Sequence, residues 1–377
     1  MVCTEKLPVP PVRGGAIQTY IDGVLPHLAT RHQVTVLCRR DPDLADEEER
    51  DGVRFLRVDP GPSPWTYGAA VADILGAERF DLLHLFNRPL LLPLYAQASP
   101  RSHLVLSVHN EMFGPNKLSV DAGAQVIRQA DRIITISRFI QRGIRRRFPQ
   151  SAAKLRTIYS AADLDQFLPR WHPTAQAEAA VLRAKLGLGN GHVVVYVGRL
   201  SPKKGAHVVI GAIERLQRRG HAIQLVIVGS KWYGGDEPDP YIDVLQAQAE
   251  RLSPPALFTG YVPYAEVHRY FWLAHAFVCA SQWLEPLSRT HYEAMAAGVP
   301  IVTTDRGGNA EVVRGFRNGV IPTHFDDPKS MARAIAIILD HRHSAASMGR
   351  RGRRLAERRY HWRRVADEIQ QVYGTLT

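Results

Sequence analysis

The chain has 377 residues, 45% of them hydrophobic and 22% charged, with 48 Lys and Arg against 36 Asp and Glu for a net charge of +12. That length supports two domains with cores of their own, and the balance is that of a globular protein, not a disordered or fibrous one. No run of 18 apolar residues occurs: the best candidate, Leu82 to Ala98, is broken by His84, Asn87, Arg88 and two prolines, so no membrane-spanning helix is expected.

No secretory leader is visible. Cys3, Cys38 and Cys279 sit in or beside apolar strand-like runs and read as buried free thiols, which implies a reducing, cytoplasmic setting. The excess charge is concentrated at Arg145-Arg146-Arg147 and from Arg350 to Arg364. A solvated arginine-rich face is the first reading and attraction to an anionic membrane surface the second. No nucleic-acid-binding motif accompanies the clusters, so no nucleic-acid partner is expected.

In chain order, Val2-Cys3 reads as the remnant of a first strand. A Pro/Gly loop from Leu7 to Gly15 follows, then a helix from Ala16 to Ala29 and a strand at Val34–Leu37. Gly14 and Gly15 open that helix, where a glycine pair brings backbone N–H groups close to a ligand. Strands are expected at Asp81–Phe86 and Leu104–Val108, the second ending at His109-Asn110-Glu111. Polar residues just past the C-terminal end of a parallel strand lie where open α/β sheets bind ligands. Asp131–Ser137 gives another strand, with Ser137 as cap of the helix from Arg138, and Leu155–Tyr159 a further one. Asp41-Pro42-Asp43 and Asp163-Leu164-Asp165 read as turns and caps, not as metal sites.

Residues 169–191 form a polar join with a short helix (Ala175 to Leu186), read as the domain connection. The buried strand His192–Val197 leads straight into Gly198-Arg199-Leu200-Ser201-Pro202-Lys203-Lys204-Gly205 and a helix from Ala206 to Arg218. A strand entering a glycine-bounded basic loop at a helix start is phosphate-binding geometry. Arg199 can grip a diphosphate with two parallel bonds and Lys204 adds a point charge. The strand Gln224–Gly229, a long polar and aromatic loop from Ser230 to Asp239, and the stretch Leu257–Val262 leading to Pro263 follow. Helices are expected at Met331–Leu339, Ala345–Arg359 and His361–Tyr373, the last with Val365, Ile369 and Val372 on one packed face.

Between His275 and Thr304 the pattern is strand (Ala276–Ala280), loop, helix, strand (from Pro300-Ile301-Val302). Glu285-Pro286 marks the helix start and Gly298 its end. Eight helical residues place the Glu285 and Glu293 carboxylates about 12 Å apart on roughly one side. A glycoside-hydrolysing pair sits roughly 5–9.5 Å apart, so the spacing argues against hydrolysis. It suits a ligand lying along the helix, with the free N–H groups of the first turn available to a phosphate.

These residues resemble the retaining, two-domain (GT-B) glycosyltransferases of family 4. The likeness rests on EPLSRTHYEAMAAGVPIV (285–302) as a Glu-x7-Glu motif, on the 198–205 loop, on Gly14-Gly15, on His109 and on the Asp305–Glu311 turn. It implies an α/β fold of two Rossmann-like parallel-sheet domains facing across a cleft, with a C-terminal helix crossing back to the N-terminal domain. The expected boundaries are 1–168, a linker 169–191, 192–355, and the returning helix 356–377. The segments KLPVPPVRGGAIQTYIDG, HNEMF and GSKWYG are closest to a bacterial branch that includes spore-coat glycosyltransferases. Two departures stand out: Asn110-Glu111 follows the histidine where the family often has Asp or Gly, and Ser160-Ala161 replaces a usual Asn-Gly.

The resemblance also implies roles. Glu285 would contact the donor sugar hydroxyls, Glu293 the nucleotide ribose, Arg199 and Lys204 the diphosphate, and His109 the sugar. Gly14, Gly15 and Gly198 would approach the donor with backbone; Tyr261 and Val262 would present backbone atoms to the base. Leu287, Ser288 and Arg289 would line the donor through their backbone, which leaves the Arg289 side chain without a role. The implied activity is transfer of a sugar from a nucleotide diphosphate sugar, UDP by preference, to a hydroxyl acceptor with retention, needing no metal or cofactor. The alternatives are a nucleotide-sugar 2-epimerase of similar fold and a non-catalytic coat or scaffold protein. Retention of Glu285, Glu293, Arg199 and Lys204 together argues against a decayed site.

Overall fold

The computed structural model describes residues 1–231 and 239–376. Most of the expected 230–239 loop therefore lies outside the described residues. The chain divides into two compact units, one made of Met1–Ser160 with Trp362–Thr377 and the other of Ala161–His361.

The first unit is built on β1 (Val34–Arg39), β2 (Glu47–Arg50), β3 (Val53–Val58), β4 (Leu82–Phe86), β5 (His103–Val108), β6 (Arg132–Thr135) and β7 (Leu155–Thr157). The orders β2-β3-β1 and β4-β5-β6-β7 are joined through Val2, which bridges Leu37 and Leu85 in parallel. The Val2 N–H donates to the His84 carbonyl at 2.8 Å and its carbonyl accepts from the Phe86 N–H at 3.1 Å; Cys3 N–H donates to Leu37 at 2.8 Å. The strand remnant is thus the link between two halves of one sheet. All pairings are parallel except β2 with β3, whose Asp51-Gly52 turn has positive φ at both residues.

The helix Trp362–Tyr373 completes this unit. Val365 and Ile369 are fully buried and it packs on the helix Ala16–Leu28. Its Tyr373 hydroxyl meets His84 Nδ1 at 2.7 Å, and His84 Nε2 meets Ser107 Oγ at 2.7 Å, all inside the core. Burial drives the His84 pKa well down, so the ring is neutral. Replacing Tyr373 by Phe strands one ring nitrogen away from water, and is expected to cost about 1–3 kcal/mol in a urea-unfolding measurement.

The second unit carries β8 (His192–Val197), β9 (Ile223–Val228), β10 (Leu257–Phe258), β11 (Ala276–Cys279), β12 (Ile301–Thr303) and β13 (Gly319–Val320) in the order β10-β9-β8-β11-β12-β13, all parallel. Strand order runs one way from β8 and the other way from β11. Such a reversal opens a crevice at the C-terminal ends of the two adjacent strands, where open α/β sheets take their ligands. The loops leaving β8 and β11 carry the 198–205 segment and Glu285.

The unit boundaries differ from those expected. Residues 161–191 are part of the second unit, not the first domain and a linker. The helix Pro173–Lys185 buries Ala175 and Leu182 and packs on the helix Tyr264–Leu273, with Arg269 Nε 3.1 Å from Glu178. Just before it, the Leu168 carbonyl accepts from Trp272 Nε1 at 2.8 Å and Arg170 N–H donates to Ala297 at 2.9 Å. The returning segment likewise begins at Trp362, not at 356, because the helix Arg342–Arg359 packs against Thr290–Ala296 in the second unit. Among the described residues no helix is long and apolar enough to cross a membrane.

Candidate active site

The 198–205 loop is held from beneath by Tyr196, which follows three valines in β8. Its buried hydroxyl lies 3.1 Å from the Arg199 carbonyl and 3.5 Å from that of Lys204. The Leu200 N–H donates to Ser230 at 2.9 Å, which closes the other side. Gly205, at φ +76°, then starts the helix Ala206–Gln217 so close to the end of β11 that a Cβ would sit 2.0 Å from the Ala280 carbonyl oxygen. That approach brings Lys204 to Glu285.

Lys204 Nζ stands 2.5 Å from Glu285 Oε2, and the same oxygen accepts from Trp283 Nε1 at 2.7 Å and Ser281 Oγ at 3.0 Å. The Glu285 side chain is only 9% exposed and that of Lys204 18%. Burial by itself would raise the carboxyl pKa. The Lys204 ammonium and the three hydrogen bonds outweigh it and hold Glu285 below its ordinary value, ionised at neutral pH. Both Lys203 and Lys204 also lie over the Trp283 ring, 5.7 and 5.8 Å from its centroid. The sequence reading missed Tyr196, Ser281 and Trp283. A tryptophan two residues before Glu285, in a polar loop, was the available signal.

Glu285 is not on the helix. The helix spans Thr290–Ala296, and residues 285–289 precede it without helical structure. The reason lies further along the chain. The Gly308 N–H donates to the Glu285 carbonyl at 2.8 Å, and Asn309 Oδ1 accepts from the Ser288 N–H at 3.0 Å. Gly307, at φ +67°, packs so tightly that a Cβ would lie 2.0 Å from the Glu285 carbonyl oxygen. The estimate of two carboxylates spaced along one helix therefore does not apply. Of the first-turn amides, those of His291 and Tyr292 are taken by the Ser288 and Arg289 carbonyls at 3.3 and 2.9 Å.

Glu293 is 4% exposed and its Oε1 pairs with Arg289 Nη2 at 3.0 Å. The same Nη2 donates to the Tyr264 hydroxyl at 2.6 Å, and the guanidinium lies over the Tyr264 ring, 5.0 Å from its centroid. Burial holds the Glu293 carboxyl above its ordinary value even so, with Arg289 pulling the other way; Arg289 itself stays charged. Leu287 is buried, and the Ser288 hydroxyl meets Thr290 at 2.8 Å. His291 sits beneath, with Nδ1 3.0 Å from the Ser288 carbonyl and Nε2 2.8 Å from Thr303 Oγ1.

Burial pushes His291 down to about 4 and His275 to about 3. Both rings, like His84, are neutral in the fold but take a proton in the unfolded chain below about pH 6.5. Their contribution is complete above that pH and is lost as the pH falls through it. Melting temperature is accordingly expected to fall between pH 7 and pH 5, a trend that scanning calorimetry reads directly.

Tyr261 and Val262 are half-buried in the loop after β10; the Gly260 carbonyl ties that loop to the Gly229 N–H at 3.1 Å. His109 belongs to the first unit, at the end of β5. It is 7% exposed, with its N–H on Asn87 Oδ1 at 2.7 Å and its ring edge-on to Tyr20 at 4.8 Å. Glu111 is exposed. Gly14 and Gly15 have φ of +78° and +105° just before the helix Ala16–Leu28. Asp41 pairs with Arg13 through two bonds of 2.9 and 3.1 Å, and Asp163 Oδ1 accepts from the Asp165 and Gln166 N–H groups. Both Asp-x-Asp segments thus serve an ion pair and a turn. All three cysteines are buried and free. The catalytic expectation divides between the units: Glu285 and Lys204 touch, Arg199 shares the 198–205 loop with Lys204, and His109 belongs to the first unit.

Comparison with known proteins matches this arrangement. Residues 14–166 fit the model of Glycosyltransferase Family 4 and residues 179–355 that of Glycosyl transferases group 1. Spore coat protein SA of Bacillus subtilis is 40% identical over 99% of this chain and 98% of its own. A GDP-mannose-dependent alpha-(1-6)-phosphatidylinositol monomannoside mannosyltransferase of Mycolicibacterium smegmatis is 30% identical over 94% and 93%. The crystal structure of Anabaena HepE in complex with UDP-glucose is similar in fold, with a TM-score of 0.78 over 99% of both chains at 21% identity. With parallel-sheet units, a switch-point site and relatives along its whole length, this chain belongs to the family 4 glycosyltransferases of GT-B fold.

Proposed function

We propose that the protein transfers a sugar from a UDP-sugar to a hydroxyl acceptor, with retention at the anomeric carbon and without a metal. The observation that carries this reading is the Lys204–Glu285 contact at the switch point of the second unit. Arg199 and Lys204 place two cations on one loop, where they neutralise charge growing on the leaving diphosphate. That is the work a metal would otherwise do. All three bonds to Glu285 fall on Oε2, which leaves Oε1 for the sugar hydroxyls. A carboxylate engaged by an ammonium, an indole and a hydroxyl is a poor nucleophile, which favours orientation of the sugar over a covalent intermediate. The acceptor then attacks from the face that the diphosphate leaves, and a diphosphate oxygen takes its proton. Glu293 serves the ribose, and His109 the sugar.

UDP as donor nucleotide is supported by the UDP-glucose complex of the HepE neighbour. A GDP-sugar is the second reading, favoured by the 30% identical mannosyltransferase. A thermal-shift screen of UDP-, GDP- and ADP-sugars separates them, since a true donor raises the melting temperature with occupancy. The expected result is a shift with UDP-sugars, followed by acceptor-dependent release of UDP that withstands EDTA. NMR of the product should show the donor's anomeric configuration. An inverted product, or turnover of donor to a new sugar nucleotide without acceptor, would sink the proposal.

A further inference from the structure

Arg289 breaks two local rules. It stands at the N-cap of the helix Thr290–Ala296 without capping it, where a positive charge opposes the helix dipole. It also lies four residues before Glu293, the less favourable order for an i,i+4 pair. Nothing about the helix recommends an arginine here, so its use must lie in what its side chain holds. The guanidinium meets Glu293 Oε1 at 3.0 Å and the Tyr264 hydroxyl at 2.6 Å, and it lies over the Tyr264 ring. Tyr264 opens the helix Tyr264–Leu273 directly after Tyr261, Val262 and Pro263. The side chains of Arg289 and Glu293 are 11% and 5% exposed. One cation therefore joins the loop assigned to the base to the carboxylate assigned to the ribose.

We infer that Arg289 is a positioning residue for nucleotide recognition: it fixes the Glu293 carboxylate against Tyr264 so that it meets the ribose hydroxyls, and so selects ribonucleotide over deoxyribonucleotide diphosphates. This rests on the reading of Glu293 as the ribose ligand. Without the guanidinium the carboxylate would keep only its hydrogen bond to the Tyr264 hydroxyl and lose the charged partner that fixes its orientation. Lysine can reach Glu293, but its ammonium cannot also stack on the tyrosine ring as a planar guanidinium does.

The test measures binding of UDP and of 2′,3′-dideoxy-UDP by calorimetry (the GDP pair if GDP is what binds) to wild type, Arg289→Ala, Arg289→Lys and Glu293→Ala. Wild type should prefer the ribonucleotide about tenfold or more, the worth of hydrogen bonds to a charged group. Arg289→Ala should lose that preference while holding the dideoxy ligand as well as wild type does, and Arg289→Lys should restore part of it. Equal weakening of both ligands in Arg289→Ala would mark a merely structural residue and overturn the inference. If Glu293→Ala loses the preference and Arg289→Ala keeps it, Arg289 alone is misassigned. If Glu293→Ala keeps it, the ribose reading itself is wrong.

Discussion

Replacing Lys204 by Ala is expected to abolish transfer, with turnover down about a thousandfold or more, while the circular dichroism spectrum stays that of the folded protein. The scale is that of removing one preorganised charge from a site built to stabilise a leaving anion. Stability should also fall by about 3 kcal/mol, because the change leaves the Glu285 carboxylate buried without its cation. The pH dependence identifies the cause. In the wild type Glu285 titrates below its ordinary value of 4.5, so its contribution is complete above that pH and is lost only as the pH falls through the folded-state value. In the variant only the Trp283 and Ser281 hydrogen bonds still oppose burial, and with the ammonium gone the carboxyl is expected to titrate above 4.5. The fold is then penalised at neutral pH and relieved in acid, so the gap in melting temperature between the two proteins should narrow from pH 7 to pH 5. Adding Glu285→Gln to the variant should recover stability without recovering turnover. Near-normal turnover in Lys204→Ala would remove the diphosphate assignment.

Gly307→Ala should be among the most damaging single methyl groups in the second unit. At φ +67° any side chain is strained, and this one would place its Cβ 2.0 Å from the Glu285 carbonyl oxygen and 2.7 Å from its nitrogen. The backbone atoms it meets cannot swing aside as a flexible side chain would. Gly315 provides the control, since its φ is +82° but nothing lies within 4 Å of the added carbon. Gly315→Ala should cost about 1 kcal/mol, the strain of a left-handed residue alone. Gly307→Ala should cost more than about 2 kcal/mol and lower kcat/KM by about a hundredfold, because Glu285 moves with its backbone. Equal effects of the two substitutions on kcat/KM would show that the turn does not set Glu285.

Much of the fold was legible because the signals for it are local. Val193, Val194 and Val195 form a strand on their own β-branched character, and Ser137 caps its helix through a bond to the Ile140 N–H at 3.3 Å, three residues on. The basic loop between Gly198 and Gly205 could be read for the same reason: strand, glycine and cation are contiguous. The strand β2, by contrast, is Glu-Glu-Glu-Arg, an exposed edge with no apolar alternation to mark it. Residues 169–191 looked like a linker because their composition is polar, and only the packing against Tyr264–Leu273 made them a wall of the second unit.

The residues proposed to carry the chemistry, Lys204, Arg199, Glu285 and Glu293, could be nominated from the chain alone by residue type and by likeness to the family's motifs. Tertiary structure alone decided how they are held. Glu285-Pro286 has the local form of a helix start, yet the helix begins at Thr290, because Gly307, Gly308 and Asn309 take the backbone that a helix would have needed. Lys204 became a donor to Glu285, and Arg289 met Tyr264, only when segments far apart in the chain came together. A residue's intrinsic preference is worth a few tenths of a kcal/mol to about 1 kcal/mol, and a buried hydrogen bond lost without replacement about 1–3 kcal/mol. Where the two disagreed, at Glu285 and at Arg289, the distant partner prevailed.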